Sequence, residues 1–467
     1  MKRLICLLLL LPILQSYGET NPVLTIEGGQ IRGVKIENKD VFVYKNVPYA
    51  APPIGDLRWR EPQSVVSWEG VRSADKFGNA AYQAAHKEGD FYQKEFFFDG
   101  DAPYSEDCLY LNIWTPNPGK TDKKLPVAMW IHGGAYTGGW SFEPEMDGEA
   151  WAERGVILVT INYRLGVFGF LAHPELTKES KHHVSGNYGM LDQIAALKWI
   201  IRNISQFGGD PEHISIFGQS AGAASIQTLI TSPLSKDLPF AAIIQSGGGI
   251  SEQSILGETT LAEAEANGKQ MMDWAGLTDL SKMRKASTEE IFDLTGRYAK
   301  ESNQRLRLAP IIDGYSLTET FSKAATEGRI SNIPYMIGGT SGDMGMLGSD
   351  EAIGRFCLSR KDGRVYAYQF ARELPGDDAG AFHSSELWYI FHSQDKSWRP
   401  FTSGDHQLSE TMTDCWTNFA KYGNPNKKGE TKWTPYTQDQ RKYMIFSLDS
   451  SDKDCSAMGT PIPLKSK

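Results

Sequence analysis

The chain has 467 residues, of which 48 are Lys or Arg and 57 are Asp or Glu, so its formal net charge at pH 7 is −9. A chain of this length buries a substantial core, and its acidic balance disfavours nucleic acid as a partner because phosphate-backbone binding needs a basic face. The 9 histidines are scattered and the 5 cysteines form no CxxC spacing, so we expect neither a metal site nor a cofactor.

Residues 1–18 are typical of a signal peptide. Two basic residues precede an apolar run from Leu4 to Leu14, and small residues follow up to Gly18. The apolar run is too short to span a bilayer, and no later stretch is long enough. The sequence therefore predicts no integral membrane span and export to a secreted or periplasmic location.

Short apolar segments alternate with longer amphipathic ones along the rest of the chain. Seven segments are predicted as buried strands: VAMWI (127–131), VILVTI (156–161), ISIF (214–217), AAIIQ (241–245), YMIGG (335–339), VYAYQF (365–370) and YMIF (443–446). Apolar spacing predicts helices over 191–207 and 408–422. This alternation favours an α/β fold with a mostly parallel sheet covered by helices on both faces.

No linker, repeat or low-complexity tract divides the chain, so residues 19–467 are predicted to form one domain. Within it the segment 251–330 is more polar and helix-like. We expect this segment to form a cap over the carboxyl edge of the sheet.

A serine between two glycines follows the strand ISIF. Gly218, Ser220 and Gly222 form the pattern G-x-S-x-G, and AGAASIQTLI supplies a helix after it. Such a turn exposes the serine hydroxyl and aims the first helix amides at the group it attacks. The alternative is a serine that only caps the helix. The strand and helix around the motif favour a nucleophile.

A nucleophilic serine also needs a base for its proton and donors for the oxyanion. The stretch HGGAYTGG (132–139) follows the strand VAMWI directly. We expect the backbone amides of Gly134 and Ala135, with that of Ala221, to form an oxyanion hole. The alternative is a flexible glycine-rich loop.

Five stretches resemble the type-B carboxylesterase and cholinesterase family. They are SEDCLYLNIWTP (105–116), HGGAYTGG, NYRLGVFGFL (162–171), GNYGMLDQ (186–193) and FGGDPEHISIFGQSAG (207–222). The similarity extends from about residue 28 to residue 426. The resemblance implies an α/β-hydrolase fold and catalytic residues in the order serine, acid, histidine.

The resemblance assigns the acid to the stretch PYMIGGTSGDM (334–344). Asp343 stands where the family has Glu, and Gly342 stands where the family often has an acid. An Asp can orient a histidine as Glu does if its loop comes closer by one methylene. The alternative is a helix cap or a solvated loop acid.

The resemblance assigns the base to GAFHSSELWYIF (380–391), which follows the strand VYAYQF. His383 is therefore the expected base. His392 and His406 lack this context and are expected to be surface or packing residues. His132 is expected to position backbone rather than to move protons.

Two further departures from the family have structural consequences. The usual disulfide partner of Cys108 is replaced by Ala81, so we expect Cys108 to be free and buried, while the pairing of Cys357, Cys415 and Cys455 stays open. The stretch from Asp343 to His383 is shorter than usual, which indicates a reduced cap and a more open site.

The sequence favours a carboxylesterase over a cholinesterase. Cholinesterases carry Glu just before the serine and a Trp after the first cysteine, whereas this chain has Gln219 and no Trp between 70 and 113. The aromatic cluster FYQKEFFF (91–98) is interpreted first as loop packing and second as an apolar or aromatic substrate wall. Two other functions stay open, a non-catalytic binding module and a serine peptidase on the same scaffold.

Overall fold

The computed structural model describes residues 21–251, 259–360, 362–429, 432–448 and 456–458. These residues contain sixteen strands. In chain order the strands are β1 (Val23–Ile26), β2 (Gly29–Arg32), β3 (Val34–Lys35), β4 (Phe42–Pro48), β5 (Val71–Ser73), β6 (Ala80–Ala81), β7 (Tyr104–Ser105), β8 (Tyr110–Thr115), β9 (Leu125–Ile131), β10 (Ile157–Ile161), β11 (Gly209–Gln219), β12 (Ala241–Gln245), β13 (Tyr335–Thr340), β14 (Val365–Phe370), β15 (Met444–Phe446) and β16 (Ser456–Met458).

The same residues contain thirteen α-helices. They are α1 (Phe91–Phe96), α2 (Glu149–Glu153), α3 (Gly166–Phe170), α4 (Pro174–Glu179), α5 (Tyr188–Asn203), α6 (Ala221–Thr231), α7 (Leu261–Trp274), α8 (Leu280–Lys285), α9 (Thr288–Ser302), α10 (Phe321–Thr326), α11 (Asp350–Ser359), α12 (Leu387–Ile390) and α13 (Ser403–Tyr422). No helix in this part of the chain is both long enough and apolar enough to cross a membrane.

Eleven strands form the main sheet, in the spatial order β16-β15-β14-β13-β12-β11-β9-β10-β8-β4-β3. The pairs from β15 to β10 are parallel, and antiparallel pairs complete both ends. Every residue of β10, β12 and β13 is buried, because helices cover both faces of the sheet. The predicted mostly parallel α/β sheet is therefore confirmed.

All seven predicted strands and both predicted helices are present. The unpredicted strands β4 and β8 belong to the antiparallel end of the sheet. Their sequences are harder to recognise as strands because polar residues interrupt the apolar runs, Asn112 in β8 and Lys45 and Asn46 in β4. Their pairing is decided by contact with neighbouring strands.

The polar segment expected to form a cap contains the helices α7, α8 and α9. These helices pack with α3 and α4, which follow the carboxyl end of β10, in an apolar cluster that includes Trp59, Met271 and Leu294. The ring of Phe292 on α9 meets that of Tyr82 edge to face, with centroids 5.3 Å apart. The segment therefore lies beside the carboxyl edge of the sheet.

The cysteine prediction can be compared with the structure at two positions. Cys108 is 1% exposed and forms no disulfide among the described residues, as predicted. Cys357 is likewise buried and outside any disulfide there. Cys455 and the predicted signal peptide, residues 1–18, lie outside the described residues.

Candidate active site

The predicted nucleophile occupies a sharp turn between β11 and α6. Ser220 has φ 57° and ψ −122°, a conformation that residues with side chains rarely adopt. A Cβ atom added at Gly222 would lie 2.0 Å from the carbonyl oxygen of Ile131, and one at Gly218 would lie 2.6 Å from the carbonyl carbon of Gly222. Only glycine fits at both positions, so the turn needs both flanking glycines of the motif.

The loop after β9 presents backbone amides beside this turn. The carbonyl of Gly134 accepts the N–H groups of Thr137 and Gly138 at 2.9 and 3.0 Å, which folds the loop back on itself. Gly134 and Ala135 both have positive φ, 96° and 54°. The N–H groups of Gly134, Ala135 and Ala221 have no acceptor among the described residues and remain able to donate to an oxyanion.

The predicted acid and base are in direct contact. Nδ1 of His383 lies 2.6 Å from Oδ1 of Asp343, and the two side chains are 9% and 2% exposed. The other oxygen, Oδ2, accepts the hydroxyl of Ser246 and the N–H of Thr340, both at 2.8 Å. A carboxylate held in this way favours the tautomer with a proton on Nδ1, which leaves Nε2 as the basic atom.

The shorter acid, Asp343, is accommodated because the residue before it, Gly342, has no side chain. The N–H of Gly342 donates to the carbonyl of Ala381 at 3.0 Å, and a Cβ atom at Gly342 would lie only 2.6 Å from that oxygen. Cβ atoms at Gly339 and Gly348 would likewise lie 2.3 Å from Oδ2 and 2.7 Å from Cβ of Asp343. Close approach of the two loops compensates for the methylene that Asp lacks.

Nε2 of His383 contacts the residue before the serine. It lies 3.2 Å from Nε2 of Gln219, a buried side chain. No hydrogen bond joins Ser220 Oγ to His383 within the described site. Such bonds often tighten only when substrate binds. The structure thus brings His383 to Asp343 and to the turn that carries Ser220.

Sequence analysis missed two residues at this site, Ser246 and Glu386. Ser246 follows β12 directly with φ 50°, so its place at the carboxyl end of a predicted strand was the available signal. Glu386 is fully buried three positions after His383, and one of its oxygens accepts Gln245 Nε2 at 3.4 Å. Burial, with a contribution from the charge of Asp343, raises the pKa of Glu386 to about 7.

The other three histidines weighed as candidates lie in different surroundings. His132 is buried behind the amide loop with Nδ1 2.9 Å from the carbonyl of Gly133, and burial lowers its pKa to about 4. It therefore stays neutral and holds backbone in place, as expected. Nδ1 of His392 is 2.7 Å from Ser409 Oγ on α13, and His406 is 42% exposed. Neither contacts the turn at Ser220.

Serine, acid and histidine follow one another along the chain in the order that the sequence motifs implied, each on a turn or loop that follows a parallel strand. The chain also matches the carboxylesterase family over residues 20–355 and 353–458. It belongs to the carboxylesterase family. Membership agrees with the α/β-hydrolase architecture seen here.

Two curated proteins similar to this chain are named as esterases. Fumonisin B1 esterase of Sphingopyxis macrogoltabida is 40% identical over 337 residues, which span 71% of this chain and 58% of that protein. Para-nitrobenzyl esterase of Bacillus subtilis (strain 168) is 32% identical over 492 residues, 92% of this chain and 95% of that one. The family match and these named relatives show that the chain is a carboxylic ester hydrolase.

The structure is similar to solved carboxylesterases over nearly its whole length. A thermophilic pNB esterase superposes with a TM-score of 0.80 at 28% identity, covering 94% of this chain and 98% of that one. A carboxylesterase of Geobacillus stearothermophilus gives a TM-score of 0.74 at 30% identity, covering 94% and 97%. The predicted α/β-hydrolase fold is thereby confirmed.

Proposed function

We propose that the protein is a serine carboxylesterase that hydrolyses small-molecule carboxylic esters through an acyl-enzyme on Ser220. The observation that carries the proposal is the 2.6 Å contact between Asp343 and His383, with Nε2 of His383 against the turn that holds the serine. Family membership supports the reaction class, and the geometry supports these three residues as its machinery.

The proposed reaction proceeds in two halves. Nε2 of His383 takes the proton of Ser220 Oγ as that oxygen bonds to the ester carbonyl carbon. The carbonyl oxygen becomes negative and is held by the amides of Gly134, Ala135 and Ala221, each contributing about 3 kcal/mol. The intermediate collapses, and His383 returns the proton to the leaving alcohol. Water then attacks the acyl group with His383 as base. The bond to Ser220 Oγ breaks as His383 returns the proton to that oxygen, and the acid leaves.

Replacement of the serine tests the proposal. Ser220→Ala should lower kcat/KM for p-nitrophenyl acetate by at least about 10³-fold, because the acyl-enzyme cannot form. Ser281→Ala, at an exposed position of α8, is the matched control and should keep full activity. Mass spectrometry of the quenched wild type should find the acyl group on the peptide that contains Ser220. Undiminished activity of Ser220→Ala would refute the assignment.

The two other functions considered from the sequence are separated by substrate choice. A serine peptidase would cleave peptide anilides, which need an extended peptide site, whereas we expect only ester cleavage. A non-catalytic binding module would cleave neither class. Assaying p-nitrophenyl acetate and peptide anilides side by side therefore distinguishes all three.

The relatives suggest which esters to test first. The 40% identity to a fumonisin B1 esterase makes fumonisin B1 the first natural ester to assay, and p-nitrobenzyl esters are second. Hydrolysis should be followed by release of the free acid by mass spectrometry. If neither ester is hydrolysed, the natural substrate is a different ester. The p-nitrophenyl acetate assay still tests whether the protein hydrolyses esters.

We also propose that the protein is exported through residues 1–18. Support comes from the basic start, the apolar run and the small residues that end at Gly18. N-terminal sequencing of the protein from its native host should find a mature chain that lacks these residues. A chain that retains Met1 in the cytoplasmic fraction would refute export.

A further inference from the structure

The short helix α1 presents two exposed aromatic rings next to the loop of His383. Phe91 and Tyr92 are 41% and 38% exposed. The ring of Phe91 packs edge to face on Phe382, with centroids 4.9 Å apart, and the hydroxyl of Tyr92 donates to the backbone carbonyl of His383 at 3.2 Å. These two rings are therefore open to solvent while they are attached to the segment that carries the base.

The aromatic cluster predicted at 91–98 divides into two parts in the structure. Phe97 is buried and stacks on His86, with ring centroids 3.6 Å apart. Phe98 lines a separate cavity of about 670 Å³ together with Phe77 and other side chains. Packing thus accounts for Phe97, and the exposed Phe98 belongs to a different cavity. The start of the cluster adjoins the histidine loop, as does the buried ring of Phe96, whose centroid lies 6.4 Å from that of Phe382.

A second link fixes α1 to the same segment from inside the protein. Glu95 is 1% exposed, accepts the indole N–H of Trp388 at 2.8 Å and pairs with Arg399 at 2.9 Å. Trp388 lies on α12, five positions after His383. Movement of α1 would therefore be transmitted to the histidine segment at two points.

The backbone beside the histidine needs such support. Ser384 has φ 81°, a left-handed conformation that costs free energy for a residue with a side chain and persists only where tertiary contacts hold it. The Tyr92 hydroxyl holds the carbonyl immediately before this residue. Burial raises the pKa of Tyr92 to about 12, so its hydroxyl remains a donor at neutral pH.

We propose that Tyr92 is a positioning residue for His383 and that the surface formed by Phe91 and Tyr92 binds the aromatic group of an ester. The inference rests on the proposed esterase function and narrows its substrate class to esters with an aromatic acyl or alcohol part. An aromatic ring bound there rests on the element that holds the catalytic histidine. The same turn of α1 then binds the aromatic group of the substrate and positions His383.

Two variants test the two halves of the inference. Tyr92→Phe removes only the hydroxyl and should lower kcat by about 5-fold on aromatic and alkyl esters alike, with KM unchanged, because one hydrogen bond to the histidine loop is lost. Phe91→Ala should raise KM about 10-fold for an aromatic ester and leave it unchanged for an alkyl ester, because ring contacts are lost. Benzyl acetate against propyl acetate, and ethyl phenylacetate against ethyl butyrate, are the ester pairs.

Controls separate this inference from the esterase assignment. Phe98→Ala removes an equally exposed ring in the other cavity, and Tyr422→Phe removes a remote hydroxyl on a residue that is 60% exposed. Both should behave like wild type. Phe91→Leu keeps an apolar side chain and covers the case in which Phe91→Ala fails to fold.

The outcomes are distinguishable. If Ser220→Ala loses all ester hydrolysis, the proposed function stands. This inference is then overturned by an unchanged kcat in Tyr92→Phe together with an unchanged ratio of aromatic to alkyl KM in Phe91→Ala or Phe91→Leu. Absence of ester hydrolysis in the wild type would instead overturn the proposed function. A KM-only change in Tyr92→Phe would contradict its positioning role.

Discussion

The turn that carries Ser220 and the pair of loops that carry Asp343 and His383 are built in different ways. The turn joins two long buried elements, and its shape is imposed by backbone atoms 2.0 to 2.6 Å from where side chains would begin at its two glycines. The loops contact each other through the backbone hydrogen bond from Gly342 N–H to the carbonyl of Ala381 and through the side chains of Asp343 and His383.

The difference separates stability from activity. A change in the turn should disturb the sheet and the helix together, because the glycines at 218 and 222 lie against backbone that cannot yield. A change in the loops should misplace the base while the core remains intact, because the contacts there lie at the edge of the sheet. The four predictions below test this separation.

The largest expected effect is loss of the carboxylate at 343. Asp343→Asn should lower kcat by about 10⁴-fold, because an amide at this place no longer favours the tautomer with a proton on Nδ1 or stabilises the imidazolium. Thermal stability should change little. The control is Asp395→Asn, whose side chain is 96% exposed. A loss below 10-fold in kcat for p-nitrophenyl acetate would mean that another group orients His383.

The next effect concerns the turn itself. Gly222→Ala places a methyl group 2.0 Å from the carbonyl oxygen of Ile131 and should lower the free energy of unfolding by about 3 kcal/mol, with activity lost in parallel. Gly296→Ala is the matched control, because its Cβ atom meets nothing within 4 Å. Urea unfolding measures both. A Gly222→Ala protein that is inactive but as stable as wild type would show that the turn, like the loops, can be changed without loss of stability.

A comparable but pH-dependent effect is expected at Glu386. Its folded pKa of about 7 lies above the unfolded value near 4.3, so the folded state holds a proton that the unfolded state has lost between these pH values. Stability should therefore fall by about 3 kcal/mol as pH rises through this window, and stay lower above it. Glu386→Gln should lack this contribution. Urea unfolding at pH 5 and 8.5 gives the change in the free energy of unfolding for each protein. An equal change in wild type and Glu386→Gln would contradict the raised pKa of Glu386.

The smallest effect is expected where the loops meet. Gly342→Ala places a Cβ atom 2.6 Å from the carbonyl oxygen of Ala381, so the histidine loop must move away. We expect kcat to fall by about 10-fold and the free energy of unfolding to fall by about 1 kcal/mol, because this contact joins two loops rather than core elements. The double variant Gly342→Ala/Asp343→Glu should recover part of the activity, because the longer acid spans the wider gap. No recovery would mean that the two departures from the family are independent.

The sequence predicted the central strands and singled out Ser220, the amide loop, Asp343 and His383, and the structure places Asp343 against His383. Strands β10, β12 and β13 are buried on both faces, so their apolar runs are unbroken and easily recognised. The strands β4 and β8, by contrast, lie in the antiparallel part near one end of the sheet and their pairing is irregular, so composition alone did not reveal them.

Other features of the site had no local signal. Ser246 on Asp343, Gln219 against His383 and the hydroxyl of Tyr92 on the histidine loop join residues up to 291 positions apart in the chain. The aromatic cluster at 91–98 was interpreted as one unit, whereas its two ends face different surroundings. Side-chain partners of this kind depend on which strand ends meet at one edge of the sheet.

The sequence by itself determined the features that steric exclusion dictates locally: a glycine-flanked serine between a strand and a helix, a glycine-rich loop after another strand, and the chain order of the reactive groups. Tertiary structure alone decided how close the acid and histidine loops come and which side chains hold them. The physical reason is that backbone exclusion acts over a few neighbouring residues, whereas the approach of two loops depends on packing across the whole sheet.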